Sequence, residues 1–419
     1  MAARVATSVL VVGAGPAGLL AALRLAAAGV KVEIIDEQWR PAGHSYALGL
    51  HPSSLALLDG LGIARDIVDA GARVAGVSIW EGRHERVRAP LGDGAFPFVL
   101  SLPQNTLERV LEAKLALRGV HVRWSHRLAA IETSEYGVTA RVERLVKESS
   151  GYAVARSTWV VDKAMEFRSE FVIGADGHHS MVRRCLDIPF EESSPSQVFA
   201  VCECDVGRPI GSDLRLVVAG PTISAMWPLP DGRVRWSLEI EAPEVSADDR
   251  NKSRLITQFG ERYSQNLDEA ELRAVLSERA PWFEPLLTEL GWTIEMRFER
   301  RLAARLGHDR TWLVGDAAHL TGPLGMQSMN SGLAEAAELA DTISGILLRH
   351  ESASRLHELE QKTLAAWAFL HGKTGGLKPS AETPAVLASR ADHLLPCLPG
   401  TGREIDALAR SLSMTVERG

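Results

Sequence analysis

Three glycines near the start of the chain constrain its fold more than any other feature of the sequence. They stand in the run Gly13-Ala14-Gly15-Pro16-Ala17-Gly18, after a short apolar, β-rich segment and before a helical segment rich in alanine and leucine. In such a turn the first glycine allows a tight bend, the second lets backbone approach a pyrophosphate, and the third lets the helix pack closely on the strand. The pattern therefore predicts a strand–turn–helix–strand unit from Val9 to Asp36.

Two physical properties of this unit predict that it binds the ADP half of a dinucleotide. A helix that begins beside Gly15 presents free N–H groups and a partial positive charge to the phosphates. Asp36 closes the second strand about 20 residues after the turn, where an acidic side chain takes the hydroxyls of the ribose. A glycine-rich turn without a ligand is the alternative interpretation, and the strand, helix and acid together disfavour it.

Two later motifs also place an aspartate after an apolar strand. They are Gly174-Ala175-Asp176-Gly177 and Gly315-Asp316-Ala317-Ala318-His319. A carboxylate at the C-terminal end of a strand reaches the hydroxyls of a bound cofactor, although one Asp-Gly pair alone is normally just a turn. Three acids in this order fit a cofactor with a long polyol chain, which FAD has in its ribityl and NAD lacks. We therefore predict FAD as the cofactor.

Composition excludes several classes of function. A formal net charge of −7 and a pI near 6.0, without a long run of lysine and arginine, disfavour nucleic acid as a partner. The four cysteines lack zinc-like spacing, so we predict no metal site and a reducing compartment. The longest uncharged run, Val5 to Leu23, contains the glycine turn and makes a poor membrane span. We expect a soluble, cytoplasmic protein.

The order of apolar segments predicts two structural domains, which is ordinary for 419 residues. The predicted fold class is α/β: a Rossmann-like FAD-binding domain of the glutathione-reductase type with a mixed sheet, an inserted β-sheet substrate domain and a C-terminal helical segment. The insert follows from a β-rich block, Val198 to Glu241, in which turn signals separate four apolar runs. The expected boundaries are 1–75, 100–185 and 295–348 for the FAD-binding domain, 76–99 and 186–294 for the substrate domain, and 349–419 for the C-terminal region.

At these motifs the sequence resembles the FAD-dependent monooxygenases of the para-hydroxybenzoate hydroxylase type, the group A aromatic hydroxylases. The family sequence D-G-x-x-S-x-V-R, which is associated with flavin and nicotinamide together, occurs unchanged from Asp176 to Arg183. The family's G-D-A-A-H places Asp316 on the ribityl and pyrophosphate, and Gln104 resembles a position that touches the flavin. The resemblance assigns the following residues to the cofactor: Gly13, Gly15, Pro16, Ala17, Gly18, Asp36, Gln104, Asp176, Arg183, Gly315 and Asp316.

The loop after the third motif departs from the family pattern. Family members commonly continue through two prolines to G-G-Q-G-M-N, whose backbone N–H groups face the pyrimidine end of the flavin. Here Gly322-Pro323 stands for the prolines and Gly325-Met326-Gln327-Ser328-Met329-Asn330 for the glycine run, so Met326 and Ser328 replace two glycines. Either the loop tolerates a Cβ there or the backbone approaches the flavin differently. The resemblance assigns Pro323 and this run to the cofactor, with a helix that begins near Asn330 and directs its dipole at the flavin N1–C2=O region.

The resemblance implies a hydroxylase. In this family NADH or NADPH reduces FAD, O₂ forms a C4a-hydroperoxyflavin, and the distal oxygen is transferred to an aromatic or similarly electron-rich small molecule. The inserted sheet would form the substrate pocket, and the candidates for its wall are Phe199, Met226, Trp227 and Trp236. A phenol is often activated by loss of its proton, and the candidates for that step are His44, His51 and His179, none of which the sequence singles out. His319 lies inside the flavin motif and is expected to be structural.

Three other functions stay open as alternatives. A non-oxygenating flavoprotein of this fold, such as an isoprenoid reductase or cyclase, is compatible with Met326 and Ser328. A flavin-dependent halogenase is disfavoured, because the chain has no W-x-W segment and no lysine between Lys31 and Lys114. A flavin-binding scaffold without catalysis is disfavoured by the intact nicotinamide-associated motif. The sequence is compatible with a monomer and with a homodimer.

Overall fold

The computed structural model describes residues 3–39, 49–92, 94–150, 156–240 and 269–419. His44, one of the candidate bases, lies outside these residues. The strands in the described part of the chain are β1 (Ala3–Ala6), β2 (Val9–Val12), β3 (Val32–Ile35), β4 (Gly49–Leu50), β5 (Ala72–Val74), β6 (Gly76–Glu81), β7 (His84–Pro90), β8 (Val99–Ser101), β9 (Val122–Arg123), β10 (His126–Ser134), β11 (Gly137–Ser150), β12 (Arg156–Ser169), β13 (Phe171–Gly174), β14 (Phe190–Val206), β15 (Asp213–Ala219), β16 (Thr222–Pro228), β17 (Val234–Ile240), β18 (Leu287–Ala303), β19 (Gly307–His308), β20 (Thr311–Leu313), β21 (His319–Leu320), β22 (Gly375–Pro379) and β23 (Met414–Arg418).

The α-helices of the same residues are α1 (Pro16–Ala27), α2 (Pro52–Asp59), α3 (Ala64–Val68), α4 (Gln104–Ala116), α5 (Met181–Cys185), α6 (Glu269–Arg279), α7 (Gln327–Arg349), α8 (Ser354–Leu370), α9 (Ala385–Ala388), α10 (Ala391–Leu394) and α11 (Arg403–Ser411). Short 3₁₀ turns cover Glu284–Leu286, Gly315–Ala317 and Leu395–Cys397. Not one of these helices is both long enough and apolar enough to cross a membrane.

A six-stranded sheet in the order β19-β20-β13-β2-β3-β9 carries the three aspartate motifs. Its neighbours from β20 to β9 are all parallel, and only β19 runs antiparallel to β20. Parallel strands need a crossover connection, and α1 provides the one between β2 and β3. All four residues of β2 are buried, as expected for a central strand that is covered on both faces.

The helices α1, α4 and α7 pack on this sheet and share one hydrophobic core with it. A four-stranded sheet, β1-β12-β11-β10, adds Val142 and Phe167 to the same core. A small three-stranded sheet, β4-β8-β5, contributes Leu100. These elements therefore share one hydrophobic core with the six-stranded sheet.

An eight-stranded sheet in the order β21-β18-β14-β17-β16-β15-β6-β7 forms the second layer of the molecule. The four apolar runs predicted between Val198 and Glu241 are β14 to β17 in the structure. Two long antiparallel partners, β14 and β18, have 17 residues each and lie near one edge of this sheet, next to β21. Strands β6 and β7 extend it at the other edge, where β6 pairs in parallel with β15.

The two faces of this sheet pack against different partners, because successive side chains of a strand point to opposite sides. One face, which we call the inner face, carries Phe199 and Trp227 and packs against α8, β22 and the short helices near the C-terminus. The opposite face carries Met226 and Trp236 and packs against α6. The region after α7 therefore covers the inner face, with its two strands β22 and β23 paired antiparallel.

Candidate cofactor site and active site

Three aspartates lie at one edge of the six-stranded sheet. Asp36 follows β3, Asp176 follows β13 and Asp316 follows β20, and β2 with its glycine turn lies between the first two of these strands. Because the strands are parallel, their C-terminal ends meet at the same edge, which is where open α/β sheets bind their ligands. The three aspartates that the sequence places after apolar strands therefore lie in a row beside the glycine turn.

The three glycines of the turn have different surroundings. A Cβ at Gly13, whose φ is +103°, would overlap the backbone of Ala175 and lie 2.8 Å from Cα of Asp176. A Cβ at Gly18 would overlap the carbonyl oxygen of Gly13. A Cβ at Gly15 would meet no atom of the described residues within 4 Å. Packing within the protein thus requires glycine at 13 and 18, whereas position 15 forms an open cradle suited to the close approach of a pyrophosphate.

Asp36 is tied to the glycine turn. Its Oδ2 accepts a hydrogen bond of 2.7 Å from the N–H of Ala14, and its Oδ1 accepts one of 2.8 Å from the N–H of Gln38. Burial raises the pKa of Asp36 to about 6, and the nearby carboxylates of Glu37 and Asp176 act in the same direction. The carboxylate therefore fixes the turn at the end of β3, and its contact with the ribose hydroxyls stays a prediction.

Gln104 begins α4 and donates a hydrogen bond of 2.8 Å from Nε2 to Oε1 of Glu108. Glu108 is 5% exposed, and its burial raises its pKa to about 7, with a further contribution from the charge of Asp36. The sequence analysis did not single out Glu108. Only its spacing of four residues from Gln104 on a helix could have indicated the pair.

Asp176 acts as a local cap for the short helix α5. Its carboxylate accepts hydrogen bonds from Ser180 Oγ at 2.5 Å and from the N–H groups of Met181 and Val182 at 2.7 and 3.0 Å. Burial raises the pKa of Asp176, and these donors lower it. The motif D-G-x-x-S-x-V-R therefore has a structural explanation in the protein itself, in addition to any contact with the cofactor.

Arg183 connects the second aspartate motif to the third. Its Nη1 donates to the carbonyl oxygen of Ala317 at 2.8 Å and its Nη2 to that of His178 at 2.7 Å, while the guanidinium lies 3.8 Å from the ring centroid of Phe190. It is 6% exposed, and burial lowers its pKa to about 10. The structure thus places Arg183 behind the two motifs as a support.

The third motif is held by a residue that the sequence analysis missed. Glu335 on α7 accepts hydrogen bonds from His319 Nε2 at 2.6 Å and from Trp367 Nε1 at 2.7 Å, and the N–H of Gly315 donates to it at 3.3 Å. The imidazole of His319 is stacked on Trp367 with 3.8 Å between ring centroids. Burial acts to raise the pKa of Glu335, but His319 and the other donors hold it below its ordinary value. His319 is fully buried in this cluster, in keeping with the structural role expected for it.

The loop from Gly322 to Met326 leads into α7, which begins at Gln327 and not near Asn330 as predicted. Met326 adopts a left-handed conformation with φ of 53°. The side chain of Asn330 donates to the carbonyl oxygens of Met326 at 2.7 Å and Gly49 at 2.8 Å. The backbone therefore turns at Met326, and the helix begins three residues earlier than predicted.

Ser328, the second residue that replaces a family glycine, contacts the third aspartate. Its Oγ donates a hydrogen bond of 2.6 Å to Oδ1 of Asp316. The Cβ at position 328 is accommodated in the first turn of α7, so the loop tolerates this substitution. Ser328 thereby links the start of the helix to the edge of the six-stranded sheet.

The C-terminal region packs directly on this loop. Gln327 Nε2 donates to the carbonyl oxygens of Leu395 at 3.0 Å and Leu398 at 3.2 Å. A Cβ at Gly325 would lie 2.6 and 2.7 Å from the carbonyl oxygens of Leu398 and Pro396. The sequence gives no sign of these contacts, because their acceptors are backbone carbonyl groups that carry no side-chain signature.

The two remaining candidate bases have different surroundings. His51 is fully buried, and its Nε2 donates to the carbonyl oxygen of Gly325 at 2.9 Å, while its Nδ1 lies 3.8 Å from Oε2 of Glu404. Burial lowers the pKa of His51, whereas Glu404 acts to raise it. His179 is exposed, and its ring centroid lies 3.9 Å from that of His178. His51 therefore supports the loop through Nε2, while its Nδ1 has no hydrogen-bond partner among the described residues.

The four candidate wall residues do not line one wall, which corrects the sequence analysis. Phe199 and Trp227 belong to the inner face of the eight-stranded sheet, and Met226 and Trp236 belong to the opposite face. All four are buried. Met226 and Trp227 are neighbours on one strand, so the alternation of side chains forces them apart. Phe199 and Trp227 stay as candidates, and Met226 and Trp236 are core residues under α6.

The residues present fit the adenosine, pyrophosphate and ribityl parts of FAD. Gly15 offers an open cradle beside the N-terminus of α1, and three carboxylates follow the same sheet edge. The N-terminus of α7, which is 23 residues long, adds a second set of free N–H groups next to Asp316. A cofactor with phosphates and a polyol chain matches these donors and acceptors.

Comparison with known proteins decides the family. The family model described as an FAD binding domain matches residues 6–370. The chain belongs to this family. It is 26% identical over 416 residues to 6-methylpretetramide 4-monooxygenase of Streptomyces rimosus, an alignment that covers 98% of this chain and 67% of that enzyme. It is also 26% identical over 365 residues to para-nitrophenol 4-monooxygenase of a Pseudomonas species, which covers 84% of this chain and 81% of that enzyme.

Solved structures agree at the level of the fold. The crystal structure of p-nitrophenol 4-monooxygenase from Pseudomonas putida superposes with a TM-score of 0.72 at 20% identity and covers 98% of this chain and 99% of that one. The predicted membership in the FAD-dependent monooxygenases of the para-hydroxybenzoate hydroxylase type is confirmed, and so are FAD as the cofactor and the oxidoreductase class. The fold is a mixed α/β fold of the FAD-binding monooxygenases.

Proposed function

We propose that this enzyme hydroxylates a small phenolic molecule, with NADH or NADPH as electron donor and O₂ as the source of oxygen. The proposal rests on Gly49, which contacts both the inner face of the eight-stranded sheet and the end of the loop before α7. A Cβ on Gly49 would lie 3.3 Å from Cη2 of Trp227 and 3.3 Å from Cγ of Met326. The inner face of the substrate sheet therefore adjoins the loop that this family turns toward the flavin.

The residues assigned to FAD follow from the sheet edge. The glycine turn and α1 would bind the pyrophosphate, Asp36 the ribose, and Asp316 with the start of α7 the ribityl chain. When bound, FAD supplies two-electron reduction by a nicotinamide and the activation of O₂. We assign the six-stranded sheet with its helices to a glutathione-reductase-type FAD domain, and we retain the division of the chain at residues 75, 99, 185, 294 and 348.

The protein's own contribution is a water-excluding wall for an aromatic ring. Phe199 and Trp227 are 1% and 0% exposed, and Phe298 meets Phe199 edge to face with 5.6 Å between ring centroids. Such side chains orient a flat apolar substrate and keep water from the reacting atoms. The names of the relatives support this class of substrate, since two of them oxidise nitrophenol or a pretetramide.

The test uses the purified protein with its flavin. We expect NADH or NADPH to bleach the flavin absorbance anaerobically, faster in the presence of a phenol, and we expect readmitted ¹⁸O₂ to label the product. Bleaching without an oxygenated product for any phenol or polycyclic aromatic would overturn the proposal in favour of a non-oxygenating flavoprotein. Protein that cannot be reconstituted with FAD would overturn the cofactor assignment as well.

A further inference from the structure

A small polar cavity of about 120 Å³ lies beside the inner face of the eight-stranded sheet. Its lining includes Arg300 from β18, His371 from the end of α8, and Leu395, Pro396 and Asp392 from the C-terminal region. A volume of this size holds one end of an aromatic molecule, since whole ligand sites are typically about 300 to 1,000 Å³. The cavity therefore has the dimensions of a subsite.

The cavity adjoins the loop from Gly322 to Met326 at two points. His371 Nε2 donates at 3.1 Å to the carbonyl oxygen of Leu320, which ends β21 two residues before the loop. The carbonyl oxygen of Pro396 would lie 2.7 Å from a Cβ on Gly325, near the end of the loop. Arg300 follows Phe298 by two residues on the same strand, so both side chains project from the inner face. The subsite thus lies between the aromatic wall and the loop.

Two of its lining residues have a buried polar atom without a hydrogen-bond partner. Arg300 Nη2 donates to Gln197 Oε1 at 2.7 Å, but its Nε finds no partner among the described residues. His371 is 8% exposed, and its Nδ1 has no partner in the same part of the chain. Buried polar atoms are rarely left unpaired, because each one costs about 1 to 3 kcal/mol.

The chemistry of the two unpaired atoms is complementary. A carbonyl oxygen only accepts, so His371 Nε2 must carry the proton in its contact with Leu320. Burial lowers the pKa of His371 to about 4, which keeps the ring neutral near pH 7. Its Nδ1 is therefore an acceptor, whereas Arg300 Nε is a donor. A ligand that satisfies both must accept one hydrogen bond and donate another.

We propose that Arg300 and His371 bind a hydroxyl group of the aromatic substrate, with Arg300 donating to its oxygen and His371 Nδ1 accepting its proton in a hydrogen bond. This inference rests on the proposed function and assigns the subsite for a phenolic substrate. A carboxylate would satisfy Arg300 but would leave His371 Nδ1 facing another acceptor.

The charges around the cavity favour a neutral hydroxyl over an anion. Asp392 is exposed at the cavity rim, and Glu239 accepts a hydrogen bond of 2.6 Å from the same Gln197 that holds Arg300. Cys397 is a neutral thiol, because burial raises its pKa to about 12. The positive charge of Arg300 is therefore opposed by two nearby carboxylates, which weakens the attraction for a further negative group.

The experiment compares three ligands that share one ring: 4-nitrophenol, 4-nitroanisole and 4-nitrobenzoate. Their dissociation constants are measured on the oxidised holoenzyme by flavin difference spectra, without turnover, at a pH of about 5.5, where 4-nitrophenol is neutral and 4-nitrobenzoate is ionised. We expect 4-nitrophenol to bind at least about tenfold more tightly than its methyl ether, which lacks the O–H donor. We also expect it to bind more tightly than the carboxylate.

Variants assign the effect to the two residues. We expect the ratio between phenol and ether to fall to about twofold or less in Arg300→Met and in His371→Phe, and to persist in the control Arg305→Met, which removes an exposed arginine. If a variant does not fold, Arg300→Lys, which keeps the charge but lacks the guanidinium Nε, or His371→Gln, which lacks the ring nitrogen Nδ1, takes its place.

Equal binding of phenol and ether, tighter binding of the carboxylate, failure of 4-nitrophenol to bind, or an unchanged ratio in both variants would each overturn the inference. These outcomes are separate from the test of the enzyme's activity. An enzyme that oxygenates a substrate but does not discriminate phenol from ether keeps its function and loses this subsite. An enzyme that binds the phenol more tightly than the ether but does not oxygenate a substrate keeps this subsite and loses the proposed function.

Discussion

The hydroxyl of Ser328 donates a hydrogen bond of 2.6 Å to Oδ1 of Asp316. The residue that departs from the family's glycine pattern thus holds the aspartate assigned to the ribityl chain. One carboxylate oxygen is oriented by the first turn of α7, which keeps the other in a fixed direction. The departure at Ser328 therefore fits cofactor binding, and the predictions below test this part of the molecule.

Removal of the Ser328 hydroxyl should weaken FAD binding. In Ser328→Ala the Asp316 carboxylate loses a hydrogen bond worth about 1 kcal/mol, which corresponds to a roughly fivefold higher dissociation constant for FAD. Fluorescence titration of the FAD-depleted protein measures this constant. Ser331→Ala, one turn further along the helix, should leave it unchanged, and Asp316→Ala should abolish retention of the cofactor. Tighter binding in Ser328→Ala would show that serine competes with FAD for the aspartate.

Two opposite effects on stability act at Met326: its backbone conformation is unfavourable, and the burial of its side chain is favourable. Its left-handed conformation disfavours a non-glycine residue by about 1 to 2 kcal/mol, but its side chain is 7% exposed and truncation of such a side chain costs about 2 to 5 kcal/mol. Burial is the larger effect, so Met326→Gly should lower the free energy of unfolding by about 1 to 3 kcal/mol. Met326→Ala keeps the strain and loses most of the burial, so it should be less stable than Met326→Gly. Urea unfolding of both variants measures the order, and the reverse order would contradict the argument.

The contact between Gln327 and the C-terminal region should contribute measurably to stability. Gln327→Leu leaves the buried carbonyl oxygens of Leu395 and Leu398 without their donor, which costs about 1 to 3 kcal/mol. Thermal unfolding should show a lower Tm, and limited proteolysis should cleave the C-terminal region sooner. Gln361→Leu changes the same side chain on the exposed surface of α8 and serves as the control. Equal stability of the two variants would show that the contact contributes nothing.

Glu108 should make the stability of the protein depend on pH. Its pKa in the folded state is about 7, above the value of 4.5 that it has when exposed, because the carboxyl is buried. A raised carboxyl pKa contributes stability at low pH that is lost as the pH rises from about 4.5 through about 7. Glu108→Gln removes this loss, so its gain in unfolding free energy should grow from near zero at pH 4 to about 3 kcal/mol at pH 8.

Urea unfolding of Glu108→Gln at several pH values provides the measurement. Glu358→Gln, which neutralises an exposed carboxylate on α8, should follow the unchanged protein at every pH. A gain for Glu108→Gln that is constant with pH would mean that the amide packs better and that the charge is irrelevant.

Local sequence predicts the parts of the site that depend on local geometry. Gly13 and Gly18 are required by backbone contacts within a few residues or with the neighbouring strand, and the motif spacing carries that information. The alternation that separates Met226 from Trp227 is equally local, and strict use of it would have placed only one of them on the inner face. The helix α7 begins at Gln327, three residues before the predicted start, because the left-handed backbone at Met326 ends the loop there.

Long-range contacts are the part that one sequence does not reveal. Gln327 meets backbone carbonyls 68 and 71 residues away, and Arg300 lies 103 residues from its partner Gln197. Neither pair has a motif, because any residue supplies a carbonyl group and glutamine amides pair with many donors. The subsite between Arg300 and His371 becomes visible only when the C-terminal region is folded onto the sheet.

The packing of Leu395 and Leu398 on the loop before α7 has a consequence for the order in which the protein is made. The glycine turn is synthesised several hundred residues before Leu395 and Leu398, and β2, α1 and β3 lie next to it in the sequence. The carbonyl groups of Leu395 and Leu398, which hold Gln327, are therefore added long after the glycine turn. Domains generally fold during synthesis, beginning with the N-terminal one. The sheet edge with its three aspartates is therefore synthesised before the segment that completes the surroundings of the loop before α7.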